Sequence, residues 1–179
     1  MDACKGFASL LALLLAAGCA TAPSVRTDRG ADADFSRYRT YAWLEQPQTR
    51  SPLVGQRIVA AVDRALSEKG WRVVDEAHAD IAVAAHVTSR EEETLETIYE
   101  ASRWHGWQWD SLPTVDEART MTRVDRYTVG TLIIDLFDVR TQRVVWRATA
   151  DGRVPPTPEK INATIDAAVP RMFAGLPAY

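Results

Sequence analysis

RYTVGTLIIDLFDVRTQRVVWRATA, residues 126–150, is the stretch whose reading decides the fold. Two runs rich in β-branched and aromatic residues, Arg126 to Asp138 and Arg143 to Ala150, flank the four residues Val139-Arg140-Thr141-Gln142. That spacing predicts a hairpin of two long antiparallel strands. Asp138 stands where a carboxylate accepts turn N–H groups. A hairpin of this length offers a broad apolar face, which other elements must cover.

Two segments have the period needed to cover it. Ser51-Pro52 opens the first, with serine at a capping position and proline where a helix has no use for the missing N–H. Val54, Ile58, Ala61, Val62, Ala65 and Leu66 then recur at helical spacing, and Gly70 suits the left-handed residue that ends a helix. Thr157-Pro158 repeats the opening, and Ile161, Ile165, Ala168, Val169, Met172 and Phe173 form a second stripe. Pro170 falls inside that stripe, so a kink or an end is expected near Ala168.

Tyr38 to Leu44, Trp71 to Val74 and Ala79 to Thr88 read as strands. In the last, Ile81, Val83, Ala85 and Val87 share one face. The predicted architecture is an α+β two-layer sandwich. It has a mostly antiparallel sheet of four to five strands, with both amphipathic helices on one face. Residues 35–179 form the single domain. Residues 89–125 are expected as an insertion, because the acidic run Glu91-Glu92-Glu93, RWHGWQWD and Pro113 show no sustained period.

The N-terminus reads differently. Phe7 to Ala17 is an uncharged apolar run, too short for a membrane span, which needs roughly 20 residues. It suits the apolar region of a signal peptide. Ala16, Ala17 and Gly18 precede Cys19, and this resembles the lipobox of bacterial lipoproteins, although Ala16 stands where leucine is usual. The resemblance implies removal of residues 1–18 and multiple acylation of Cys19, enough for stable anchoring. An ordinary cleavage near Gly18, or a short buried helix, is the alternative. Ala20, not aspartate, follows Cys19, which by analogy with lipoprotein sorting favours the inner leaflet of the outer membrane, facing the periplasm. Residues 19–34, small and polar after the cysteine, are expected as a flexible tether.

Composition narrows the chemistry. The chain has 179 residues and a net charge of −3, with no basic excess for nucleic acid. Its two cysteines are Cys4, in the signal segment, and Cys19, so a thiol enzyme or a cysteine zinc site is excluded after maturation. His78, His86 and His105 lack metal-ligand spacing, and neither a nucleophile elbow nor a phosphate loop is present. No cofactor, metal or catalytic residue is expected. Asp135 and Asp138 are three apart on a strand and point to opposite faces. The unusual feature is aromatic: Trp104, Trp107 and Trp109, with Tyr99 and Arg103 beside them. Indoles in a loop stack on sugars, sit at a membrane interface or anchor a protein partner, or else fold back over the sheet.

Asp34-Phe35 with Tyr38-Arg39-Thr40-Tyr41-Ala42-Trp43, the helix ending in Leu66 and Lys69-Gly70-Trp71, and Ala79-Asp80 form an ordered set. Gly130-Thr131-Leu132-Ile133-Ile134-Asp135, Asp138, Thr141 and Val145-Trp146-Arg147 continue it. The set resembles the lipoprotein family called domain of unknown function 4136, over about Asp34 to Leu176. Trp104 to Trp109 matches the glycine- and aromatic-rich middle of that family, and Pro170 departs from its uninterrupted last helix. The resemblance implies an envelope lipoprotein and supplies no activity. Three functions follow as expectations: a non-catalytic module binding an envelope protein or glycan, an auxiliary subunit of lipid or polysaccharide transport, and an envelope hydrolase using His105, Glu91 and Asp110.

Overall fold

The hairpin expected at residues 126–150 forms, and its strands run on past both expected ends. The computed structural model describes residues 22–100 and 119–178. Among these, the strands in chain order are β1 (Ser24–Arg29), β2 (Thr40–Glu45), β3 (Arg72–Val73), β4 (Ile81–Glu100), β5 (Arg119–Asp138) and β6 (Arg143–Arg153). The helices are α1 (Pro52–Glu68) and α2 (Pro158–Met172). The six strands form one sheet in the order β1-β6-β5-β4-β2-β3.

Three neighbouring pairs, β1–β6, β6–β5 and β5–β4, are antiparallel. The pairs β4–β2 and β2–β3 are parallel, because α1 crosses over between β2 and β3 and returns the chain in the same direction. The class is α+β as expected, with six strands in place of four to five. The sixth is β1, which occupies part of the expected tether. Its sequence SVRTDR has only one apolar side chain, Val25, so periodicity does not mark it. It exists because the outer backbone of β6 is free to pair with it, from Ser24↔Asp151 to Arg29↔Trp146.

Helix α1 ends as its sequence suggests. Gly70 has φ 86°, and the N–H groups of Trp71 and Gly70 donate to the carbonyls of Leu66 and Ser67, a Schellman closure. Ser51 occupies the cap position without a side-chain cap bond, whereas Thr157 accepts from the Lys160 N–H at the start of α2. The helix does not end near Ala168: α2 continues through Pro170 to Met172. Proline removes one bond close to the helix end, where the last turn tightens through Phe173 N–H to the Pro170 carbonyl. Burial of Val169, Met172 and Phe173 holds that turn in place.

Both helices cover one sheet face. Val62 and Leu66 of α1, Val169 and Met172 of α2, and Ile81, Val83, Ile134, Leu136 and Ala148 of the sheet belong to one buried cluster. The register explains why. Val83 stands opposite Leu136, and Leu136 opposite Trp146, so the alternate residues of three strands line the same face. A bulge then pairs Phe137 with Val144 and leaves Val145 as the extra residue, so adjacent Val145 and Trp146 are both buried. Arg57 and Asp166 join the two helices across their contact.

Candidate functional site

Three carboxylates, Asp63, Asp80 and Asp138, fasten the elements to one another through hydrogen bonds. Asp63 of α1 accepts from the Tyr41 hydroxyl and the Trp43 Nε1–H, both at 2.9 Å, locking α1 onto β2. Burial, then the bond to Asp63, pushes the Tyr41 hydroxyl well above its ordinary pKa. Asp80 accepts from the N–H groups of Arg39 and Thr40 and from the Thr40 hydroxyl, fixing the start of β4 beside β2. Burial alone raises the Asp80 pKa, and these donors more than offset it, leaving the carboxyl low. Asp138 accepts from the Tyr38 hydroxyl and the Thr141 N–H, which is the turn role its position suggests.

Asp135 points the other way, as its spacing requires. It is 2 % exposed and accepts both Nε–H and Nη2–H of Arg147 at 2.6 Å. Donating these hydrogen bonds to Asp135 raises the Arg147 pKa further. This pair stands on the sheet face that neither helix covers. Across that face run Ala42 and Leu44 of β2, Ala82 and Ala84 of β4, Phe137 of β5 and Val144 of β6, with Leu44 63 % exposed. Asp151 accepts from Arg26 and Thr131 farther along, and His86 approaches Glu45 at 3.5 Å. A shallow hollow of about 260 Å³ opens at one end, between Asp28, Arg29, Gly30, Val144, Trp146 and Arg147.

The second feature is a ribbon. β4 leaves β2 after Ala84 and β5 leaves β6 beyond Val129, yet β4 and β5 stay paired to Glu100↔Arg119. Strands rise about 3.3 Å per residue, so this two-stranded extension reaches roughly 30 Å. Cross-strand pairs organise its base. Arg126 Nε–H donates to Glu93 at 2.6 Å, Glu92 accepts from Arg90 and from the Tyr127 hydroxyl, and the Arg153 guanidinium stacks 3.7 Å from the Tyr127 ring centre. The hydrogen bonds hold the Glu92 carboxyl below its ordinary range. The acidic run is therefore part of a charged ladder. Residues 89–100 and 119–125, read from sequence as part of an insertion, are strand. Among the ribbon residues whose side chains are described, 91–94 and 124–128, none is buried, so the core imposes no apolar alternation on them.

Of the residues singled out in sequence, Tyr99 stands opposite Thr120 near the far end of the ribbon by backbone register. Cys19, Arg103, Trp104, Trp107 and Trp109 lie outside the described residues, as do His105 and Asp110. Glu100 and Arg119, paired at the ribbon's end, bracket the segment 101–118 in the chain. His78 pairs with Asp75 at 2.6 Å on the surface. Among the described residues no group of three histidine, cysteine, aspartate or glutamate side chains is arranged to hold a metal ion, and no helix is long and apolar enough to cross a membrane.

Comparison with known proteins follows the same frame. The model of a family described as "Domain of unknown function (DUF4136)" matches residues 25–178, and so includes β1 and the ribbon. No curated protein matches the chain. Among solved structures, the PelC dodecamer from Paraburkholderia phytofirmans is similar at TM-score 0.52 and 15 % identity, covering 88 % of this chain and 99 % of that one. A PDZ domain protein from Parabacteroides distasonis is similar at TM-score 0.52 and 16 % identity, over 88 % of this chain and 37 % of that one. A DUF4136 family protein from Bacteroides thetaiotaomicron scores 0.49 at 14 % identity, over 85 % and 94 %. At these identities the likeness is one of fold.

Proposed function

This chain belongs to the DUF4136 family, and on that premise we propose that it is a membrane-anchored, periplasm-facing lipoprotein acting as a non-catalytic binding or scaffolding module of the cell envelope. The observation that carries this reading is the ribbon with the uncovered sheet face beside it. An isolated two-stranded ribbon is marginal in water, and an open sheet face with exposed apolar side chains is surface suited to a partner. Anchoring rests on the lipobox-like residues before Cys19. Scaffolding by self-assembly is one form of the reading, since PelC from Paraburkholderia phytofirmans, which shares the fold, is a dodecamer.

The transport-subunit reading calls for an apolar groove between sheet and helices. Between them, Val62, Leu66, Ile81, Val83 and Met172 are at 0 % exposure, which favours the scaffolding reading. A hydrolase would need Glu91 to converge with His105 and Asp110, and Glu91 stands on the exposed base of the ribbon.

The test is capture from crosslinked envelopes with wild type, Cys19→Ser and Trp104→Ala. Wild type should fractionate with membranes and recover a defined set of proteins or glycan. Cys19→Ser should lose the membrane fraction, and Trp104→Ala should lose part of the captured set. Recovery no higher than background from wild type, with Trp104→Ala indistinguishable, overturns the reading.

A further inference from the structure

We propose that the ribbon joins copies of this chain edge to edge, the β4 arm of one copy against the β5 arm of the next. This rests on the scaffolding reading and names the partner as a second copy. Among the described residues, β4 beyond Ala84 and β5 before Thr128 each pair with one strand only, namely each other. Each arm therefore turns a row of backbone N–H and C=O groups outward, the usual template for strand addition.

Charge selects which edge meets which. The β4 arm carries Glu91, Glu92, Glu93, Glu96 and Glu100 against Arg90 alone. The β5 arm carries Arg119, Arg123 and Arg126 against Asp125 alone. Charges on an exposed edge ordinarily discourage pairing. Here the two edges have opposite sign. Pairing β4 with β4, or β5 with β5, about a two-fold axis sets like charges across from each other and is disfavoured. Pairing β4 with β5 sets glutamates across from arginines. Glu93 and Arg126 already bond within the ribbon, yet their side chains remain 56 % and 75 % exposed and within reach of a neighbour.

The geometry of such a contact follows from symmetry. Copies related by rotation share one strand direction, so the next copy's β4 lies antiparallel to this copy's β5. The sheet then continues from ribbon to ribbon. The contact is head-to-tail, and it forms a ring if the rotation closes or a filament if it does not. A ribbon that is marginal alone gains backbone partners on both sides.

Sedimentation of the full-length chain in detergent tests this at about 20 mM and about 500 mM salt, either side of the ionic strength where the Debye length is roughly 10 Å. Wild type should assemble at low salt and dissociate at high salt. Glu91→Lys with Glu93→Lys, and separately Arg123→Glu with Arg126→Glu, should each weaken self-association by at least about tenfold. An equimolar mixture of the two should assemble again, because the unaltered basic β5 arm of the first meets the unaltered acidic β4 arm of the second. Glu91→Gln with Glu93→Gln should weaken assembly less, and guards against a lysine variant with a disrupted ribbon. Wild type that stays monomeric at low salt, reversal variants that assemble like wild type, or a mixture that stays monomeric overturns the proposal. A monomer that still captures envelope partners leaves the scaffolding reading standing; an assembling chain that captures none removes that reading and leaves the ribbon contact.

Discussion

The hydroxyl of Tyr38 donates to Asp138 Oδ2 at 2.8 Å, across 100 residues of chain. Tyr38 follows the short turn at Phe35–Arg37, ahead of β2, and Asp138 closes β5 at its hairpin turn. The bond fastens the start of β2 to the turn on which β5, one of the two longest strands, ends. Phe35, Tyr38, Trp71 and Trp146 meet edge to face around it.

Tyr38→Phe removes the donor and keeps the ring. Asp138 retains the Thr141 N–H, so the carboxylate is not left bare. A loss of about 1–2 kcal/mol is expected, seen as a thermal midpoint lower by roughly 2–5 °C. An unchanged midpoint would show that the bond adds nothing to the aromatic packing.

The same tyrosine fixes the alkaline behaviour. Burial, with the bond to Asp138 after it, pushes the Tyr38 hydroxyl up to about 12, and Tyr41 is raised in the same direction. A raised folded pKa favours the native state fully below the unfolded value near 10, and that contribution is lost as pH climbs beyond it. Stability to denaturant should therefore fall from about pH 10 upward. Absorbance titration should show two tyrosines ionising only with unfolding. Free titration of all tyrosines near pH 10 in the folded chain would contradict this.

On the acid side the sign reverses. Asp80 and Asp138 have lowered carboxyl pKa values, burial being outweighed by their hydrogen-bond donors. Their contribution is present above the unfolded value near 4 and is lost as pH falls through the folded one. Denaturant midpoints should drop below about pH 4, and Asp80→Asn should flatten that drop while lowering stability at neutral pH. An acid limb equally steep in Asp80→Asn would remove Asp80 as a contributor.

Asp135 and Arg147 test the uncovered face. Arg147→Ala strands a carboxylate that is almost wholly buried and should cost on the order of 2–4 kcal/mol. Asp135→Leu with Arg147→Leu removes both charges together and should cost less than Arg147→Ala alone. Equilibrium unfolding of the three proteins decides it. A double variant less stable than the single one would mean that the pair itself stabilises the sheet.

The elements with a covered face were legible. Helix α1, its Gly70 ending and the hairpin turn at residues 139–142 follow from period and cap chemistry, because one face of each packs against the core. So did the division of labour between Asp135 and Asp138, which strand alternation fixes. Of the candidate site, sequence marked Arg103 and the aromatics in and around the segment 101–118. The acidic run was visible as charge, and its place in a ladder with Arg126 was not.

What the sequence determined by itself is everything local: two amphipathic helices, the central strands, their inward faces and an α+β class. Tertiary structure alone decided three things. β1 forms because β6 offers it a free edge, whatever its own polar sequence prefers. α2 runs through Pro170 because burial of its last turn outweighs one lost hydrogen bond. The ribbon extends to Glu100 and Arg119 through pairing between residues distant in the chain. Periodicity records which side of an element meets a core. It carries no record of which backbone edge meets which, and that is where β1 and the ribbon are decided.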